Sequence, residues 1–181
     1  MPTSRRTPFP TLIIVSGPAG SGKTTLAHRL AAEVGCPAIC RDEIKEGMVH
    51  AASPRFVASV SDPLTVRTYG VFFATVQLLL RAEVTLVAEA AFQDPLWRRG
   101  LEPLLPLADV RVVRCWIGDD QARDRMRRRR AEQATRTAHA DLDEVPVPST
   151  FVAISLDVPT LDVDTSQGYR PALDDVVAFA R

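Results

Sequence analysis

The stretch Ser16-Gly17-Pro18-Ala19-Gly20-Ser21-Gly22-Lys23-Thr24-Thr25 fills every fixed position of the pattern G-x-x-x-x-G-K-[ST]. The spacing has a physical cause. A loop that wraps a phosphate chain must aim several successive backbone N–H groups at one point, and along that path a Cβ would obstruct. Gly17, Gly20 and Gly22 remove the obstruction, with Pro18, Ala19 and Ser21 between them. Lys23 then offers a cation to the terminal phosphates and Thr24 a hydroxyl to Mg²⁺. Thr25 leads into a helix whose positive end faces the bound anion. Residues 17–25 therefore read as a triphosphate cradle, and they constrain the fold, because such a loop works only between a buried strand and a helix.

Both neighbours are present. Thr11-Leu12-Ile13-Ile14-Val15 is a short, apolar, largely β-branched run, as expected of a parallel strand covered on both faces. From Lys23 to Val34, the residues Leu26, Ala27, Leu30, Ala31 and Val34 recur at helical spacing, and Gly35 follows where a helix-ending glycine is expected.

The 181 residues suit one domain with its own core, and 46% apolar against 24% charged residues is a globular balance. Lys+Arg and Asp+Glu both number 22, so net charge gives no support for bulk nucleic acid as a partner. No run of about eighteen apolar residues is present, and Met1 to Pro10 lacks the apolar centre of a signal peptide, so a cytoplasmic location is expected. Cys36, Cys40 and Cys115 show no C-x-x-C spacing. They suggest neither a disulfide framework nor a zinc site, and buried free thiols are the expectation.

Further along, Cys36 to Cys40 is a candidate second strand that delivers Arg41, Asp42 and Lys45 to its carboxyl end, where ligands bind in open α/β sheets. Asp42 is the first candidate for a general base that orients an attacking hydroxyl and takes its proton. The alternative is that Asp42 caps a helix beginning at Glu43. Ser61-Asp62-Pro63 has the form of a cap with proline at the first helical position. The long helix it opens carries Leu64, Val66, Tyr69, Phe72, Val76 and Leu80, which predicts packing against the sheet. Val84 to Glu89 is a third strand closing on an acid, and Glu89 is a candidate magnesium ligand or substrate-orienting carboxylate.

Asp94-Pro95 predicts a helix running to about Leu105, and Val110 to Ile117 a fourth strand. Asp119 to Arg130 is an arginine-dense helix. Arg125 and Arg129 stand one turn apart and can both face phosphates, as the cations of a lid would, while the other arginines meet water. The lid is placed at about residues 119–150. Leu161 to Thr165 predicts a last strand, with Gly168 in the turn before a closing amphipathic helix carrying Val176 and Val177. The alternation predicts an α/β fold of three layers: a five-stranded parallel sheet with helices on both faces, in one domain over residues 1–181.

These motifs together resemble those of the P-loop kinases, in particular the small kinases related to chloramphenicol phosphotransferase, the zeta toxins and the 5′-kinase domain of polynucleotide kinase. The resemblance rests on the Walker A run at Gly17 to Thr25, RDEIKEG at Arg41 to Gly47, VAEAAF at Val87 to Phe92, RDRMRRR at Arg123 to Arg129 and VDTSQGYRP at Val163 to Pro171. It implies that Asp42 is the substrate-activating base and that Arg125 and Arg129 are lid cations. Thr165 to Gly168 would border the adenine of ATP. Lys45 stands where polynucleotide kinase has an arginine that assists the acceptor phosphate, and a phosphatase domain is not expected.

The expectation is an ATP- and Mg²⁺-dependent phosphotransferase. Lys23, Asp42, Arg125 and Arg129 are its catalytic residues, Thr24 and Glu89 lie at the metal, and Arg41, Asp42, Lys45 and Glu89 face a small-molecule hydroxyl. Guanine specificity is disfavoured by the lack of an N-K-x-D stretch. Two alternatives stay open: a kinase of a nucleic-acid 5′-hydroxyl or a nucleotide sugar, and an ATP-binding regulator that hydrolyses slowly.

Overall fold

The computed structural model describes residues 9–51, 63–94, 97–132 and 151–181. Five strands, Thr11–Ser16 (β1), Ala38–Cys40 (β2), Leu86–Glu89 (β3), Asp109–Trp116 (β4) and Thr160–Asp164 (β5), pair in parallel in the order β2-β3-β1-β4-β5. β1 lies at the centre because its residues can be dry on both sides: Leu12, Ile13, Ile14 and Val15 are all fully buried. Parallel pairing requires a crossover between strands, and helices supply it.

Ile13, Val15, Val87, Val113 and Cys115 point to one face, where helix α1 (Lys23–Val34) and helix α6 (Leu173–Ala180) cover them through Leu26, Leu30, Val176 and Val177. Leu12, Ile14, Leu86, Ala88, Val110 and Val112 point to the other. There Phe72, Val76 and Leu80 of helix α3 (Pro63–Arg81) meet Leu101 of the short helix α4 (Arg98–Leu101). Trp97 closes this second core among Tyr69, Phe72, Phe73 and Phe92 at ring-centroid distances of 5.0–6.0 Å. The predicted five-stranded, three-layer arrangement is what forms.

α1 starts at Lys23 and ends at Val34, as the spacing predicts, and the N–H of Gly35 closes it on the Ala31 carbonyl at 2.9 Å. Two local readings are corrected. Helix α2 spans Arg41–Ala51, so Asp42 lies inside its first turn and does not cap a helix beginning at Glu43. The helix expected from Asp94 to Leu105 is instead four α-helical residues followed by a 3₁₀ turn over Glu102–Leu107, with Trp97 at the cap position. Pro103 and Pro106 remove backbone donors, which accounts for the tighter turn. Asp94 is bound to Arg98 by two hydrogen bonds of 2.8 and 3.0 Å. The proposed cap residues Ser61 and Asp62 and the lid stretch 133–150 lie outside the described residues.

α3 is long and apolar enough to cross a membrane by those two measures alone, 19 residues at a mean hydropathy of 1.2. A search for an unbroken apolar run does not reveal that. Here its Phe72, Val76 and Leu80 are buried in the core while Val66 and Leu78 are exposed.

Phe72 is fully buried and in contact with three aromatic rings. Phe72→Ala should lower the unfolding free energy by about 3–5 kcal/mol, the cost of deleting a large core ring that its surroundings cannot refill. Urea denaturation checks this, and a loss below about 1 kcal/mol would show that α3 is not seated on the sheet as described.

Candidate active site

The phosphate-loop residues are wedged between β4 and helix α5 (Asp119–Glu132), and two glycines make the fit possible. A Cβ at Gly17 would stand 2.6 Å from the Cys115 carbonyl oxygen. One at Gly20, whose φ is +78°, would stand 2.7 Å from the carbonyl oxygen of Ala122 in α5. The loop therefore touches the arginine helix backbone to backbone, a contact no other residue type allows.

Thr165, just past β5, ties the same parts together. Its hydroxyl donates to the Ser21 carbonyl at 2.7 Å and lies 3.2 Å from the Trp116 carbonyl, to which its own N–H donates at 3.1 Å. Its carbonyl accepts from Arg125 Nη2 at 2.5 Å, and the Ser166 carbonyl accepts from the same nitrogen at 3.3 Å. Arg125 and Arg129 then line a cavity of about 330 Å³ with Gly20, Gly22, Lys23, Thr24 and Thr25. The pairing of the two arginines expected from their spacing is thus realised. Arg123 and Arg127 turn to Asp120 and Asp124 on their own helix.

On the other side of Lys23 stands Glu89. The register Val15↔Glu89 and Cys40↔Glu89 sets it at the carboxyl ends of three strands, and its side chain is 1% exposed. Lys23 Nζ lies 3.7 Å from Glu89 Oε1, while Oε2 is buried without a hydrogen-bond partner of regular geometry. Burial pushes the Glu89 carboxyl above its ordinary range. The Lys23 charge pulls it back, Asp42 raises it further, and the nearby Thr24 hydroxyl and Cys40 thiol lower it. An orphaned buried carboxylate oxygen close to a threonine hydroxyl is the hard-oxygen donor set that Mg²⁺ takes, so the residues present fit that ion.

Asp42 is near enough for its charge to act on Glu89, and its Oδ1 accepts from Arg41 Nη1 at 2.9 Å. The structure thus brings together Lys23, Thr24, Glu89, Arg41 and Asp42 on one side of the loop and Arg125 and Arg129 on the other. Lys45, one turn after Asp42 on α2, is buried, and its ammonium donates to Thr65 Oγ1 at 2.8 Å, fastening α2 to α3. Gly168, with φ +88°, sits in the turn after β5 and is not among the residues lining the cavity. Pro18, Ala19 and Ser21 complete the loop, and Ser21 is fully buried.

Two contributors escaped the sequence reading. Ser16 fixes the end of β1 by donating to the Ala91 carbonyl at 2.8 Å, and Cys40 lies against Glu89. Each is the last residue of its strand, a position that marks it once the register is known.

A family model described as an AAA domain matches residues 12–145. The chain belongs to this AAA domain family. Its fold is that of the P-loop kinases. A candidate kinase from Chloroflexus aurantiacus superposes with a TM-score of 0.80 at 25% identity, covering 94% of this chain and 96% of the other. A sugar kinase from Janibacter gives 0.62 at 17% identity, covering 95% and 94%. The APS kinase of Mycobacterium tuberculosis, in complex with AMPPNP and APS, gives 0.63 at 14% identity, covering 95% of both chains. No curated protein matches the sequence.

Because the fold raises the Glu89 pKa, this group favours the folded state most fully below its ordinary value of 4.5, and that contribution is lost as pH rises through the folded value. Glu89→Gln should therefore raise the Tm of nucleotide-free protein at pH 8, with the gain shrinking as pH falls toward 4.5. A Tm below that of the parent protein at pH 8 would mean that the Lys23 pairing outweighs the cost of burial.

Proposed function

We propose that this AAA-family chain is an ATP- and Mg²⁺-dependent kinase that transfers the γ-phosphoryl group to a hydroxyl of a small molecule. The observation that carries the reading is the placement of Lys23. Its ammonium stands at the end of a glycine loop, between a buried carboxylate and a cavity lined by two arginines. Bound ATP with Mg²⁺ would supply the transferable group and offset part of its charge.

Lys23, Arg125 and Arg129, with the loop N–H groups, hold the phosphates and stabilise the charge that develops on the equatorial oxygens. Thr24 and Glu89 supply oxygen donors for the cation. Asp42, at the start of α2, orients the acceptor hydroxyl and takes its proton. The new O–P bond forms as the bond from phosphorus to the β-phosphate oxygen breaks, and ADP leaves. Arg41 holds the Asp42 carboxylate in place. Two of the structures named above, the sugar kinase and the APS kinase, carry small-molecule substrates in their descriptions, and they support the same class here. The balanced net charge of the chain and the pairing of Arg123 and Arg127 with acids of their own helix support a small molecule over nucleic acid.

Asp42→Asn should keep ATP binding but lower acceptor phosphorylation by roughly a hundred- to ten-thousand-fold, the range for a lost general base. Since Asp42 is in the first turn and not at the cap, helix stability should fall only by the charge–dipole share, about 0.3–1 kcal/mol. Near-normal phosphorylation of the acceptor by this variant would pass the role of base to Glu89.

Lys23→Ala, measured in parallel, should abolish triphosphate turnover while the fold survives, with a Tm lowered by the loss of the cation that faces Glu89. Full turnover would remove the phosphate-cradle assignment. Loss of turnover with intact binding of a protein partner would favour the regulator reading.

A further inference from the structure

A second cluster borders the site just described and shares Cys40 with it. His28 on α1, Cys40 at the end of β2 and Glu43 on α2 bring an imidazole nitrogen, a thiol sulfur and a carboxylate oxygen within 4.8 Å of one another. We propose that these three side chains bind a zinc-class divalent cation, with the fourth position open to solvent.

Three observations carry the proposal. The first is convergence on one atom. His28 Nε2 lies 2.6 Å from Glu43 Oε1 and 3.7 Å from Cys40 Sγ. The three donors thus already face one point, with the Cys40 thiol also in reach of the Glu43 carboxylate. A cation between the three satisfies all of them. The second is spacing. In a tetrahedral site with Zn–S near 2.3 Å and Zn–N near 2.0–2.1 Å, sulfur and nitrogen stand roughly 3.6 Å apart. The His28–Cys40 pair already stands at 3.7 Å, and the Glu43 oxygen needs to withdraw by less than about 1 Å.

The third is chemistry. One thiolate and one carboxylate balance a divalent charge with a neutral imidazole as third donor, and the thiolate selects borderline-soft ions over Mg²⁺. Cys40 is 2% exposed, whereas the side chains of His28 and Glu43 are 50% and 47% exposed. The sulfur forms the buried floor, and solvent reaches the open side.

The site bridges the helix that carries Lys23 and the helix that carries Asp42, and its sulfur abuts Glu89. Occupancy would therefore fix α1 against α2 beside the phosphate loop. Binding itself does not depend on the reading of the chain as a kinase.

The test uses the full chain, stripped with chelator and free of nucleotide, titrated with Zn²⁺ against a competing chromophoric chelator and separately with Co²⁺. One equivalent of either metal should bind, Co²⁺ should give thiolate-to-cobalt charge-transfer absorption, and excess Mg²⁺ should not displace it. Cys40→Ser should remove the absorption and weaken Zn²⁺ binding about tenfold or more. His28→Ala should weaken it by a similar factor, and Cys36→Ser should change neither. If Cys40→Ser does not fold, the half-exposed His28→Ala variant decides the matter. Absence of stoichiometric Zn²⁺ binding would overturn the proposal. So would binding indifferent to His28→Ala, or an absorption that depends on Cys36 in place of Cys40.

Discussion

A carboxylate buried to 1% exposure cannot stand alone, and the placement of Glu89 dictates much of what surrounds it. Burying an isolated charge costs far more than a domain can tolerate, so Lys23, one turn of loop away, has to face it. The separation of 3.7 Å is that of a loose pair. The ammonium is held in position by attraction without being spent in tight hydrogen bonds, and it stays available to phosphate oxygens. The same charge has to be reached from β1, β2 and β3 together, which is why the register of these three strands matters more to the site than their length.

Backbone proximity is the second constraint. The loop lies against Cys115 at Gly17 and against Ala122 at Gly20 at distances that exclude a Cβ. The glycines thus let β4 and α5 close on the loop from outside. This packing sets the two cavity arginines at a fixed offset from Lys23. Their place at the cavity follows from where α5 sits and not from the arginine content of the helix, since Arg123 and Arg127 on the same helix are paired with acids one turn away.

Much of this was legible in the sequence because it rests on local pattern. The strand before the loop, both ends of α1, the five parallel strands and the Arg125–Arg129 face all follow from spacing and from glycine placement. What local pattern does not carry depends on partners distant in sequence. Lys45 is expected at the substrate from its place after β2, and the hydrogen bond of its ammonium to Thr65, twenty residues on, is not visible in that pattern. Asp42 looks like a cap until β2 is found to end at Cys40 and α2 to start at once with Arg41. Thr165 is placed beside the adenine by resemblance, and the bond of its hydroxyl to Ser21, 144 residues away, has no signal in local spacing. The cysteines suggested no metal because the search used C-x-x-C spacing, and the donors that approach Cys40 come from two helices.

Thr165 also has a mechanical meaning. The loop is fastened to it through Ser21, the end of β4 through Trp116, and α5 through Arg125, so one residue acts as a common rivet for three separate elements. A second fixing point lies at Gly20 against Ala122. A rod pinned at two places cannot swing about either one. The first two turns of α5 therefore travel with the phosphate loop as a single rigid piece, and the angle at which Arg125 meets the cavity is set when the chain folds and not when the ligand arrives.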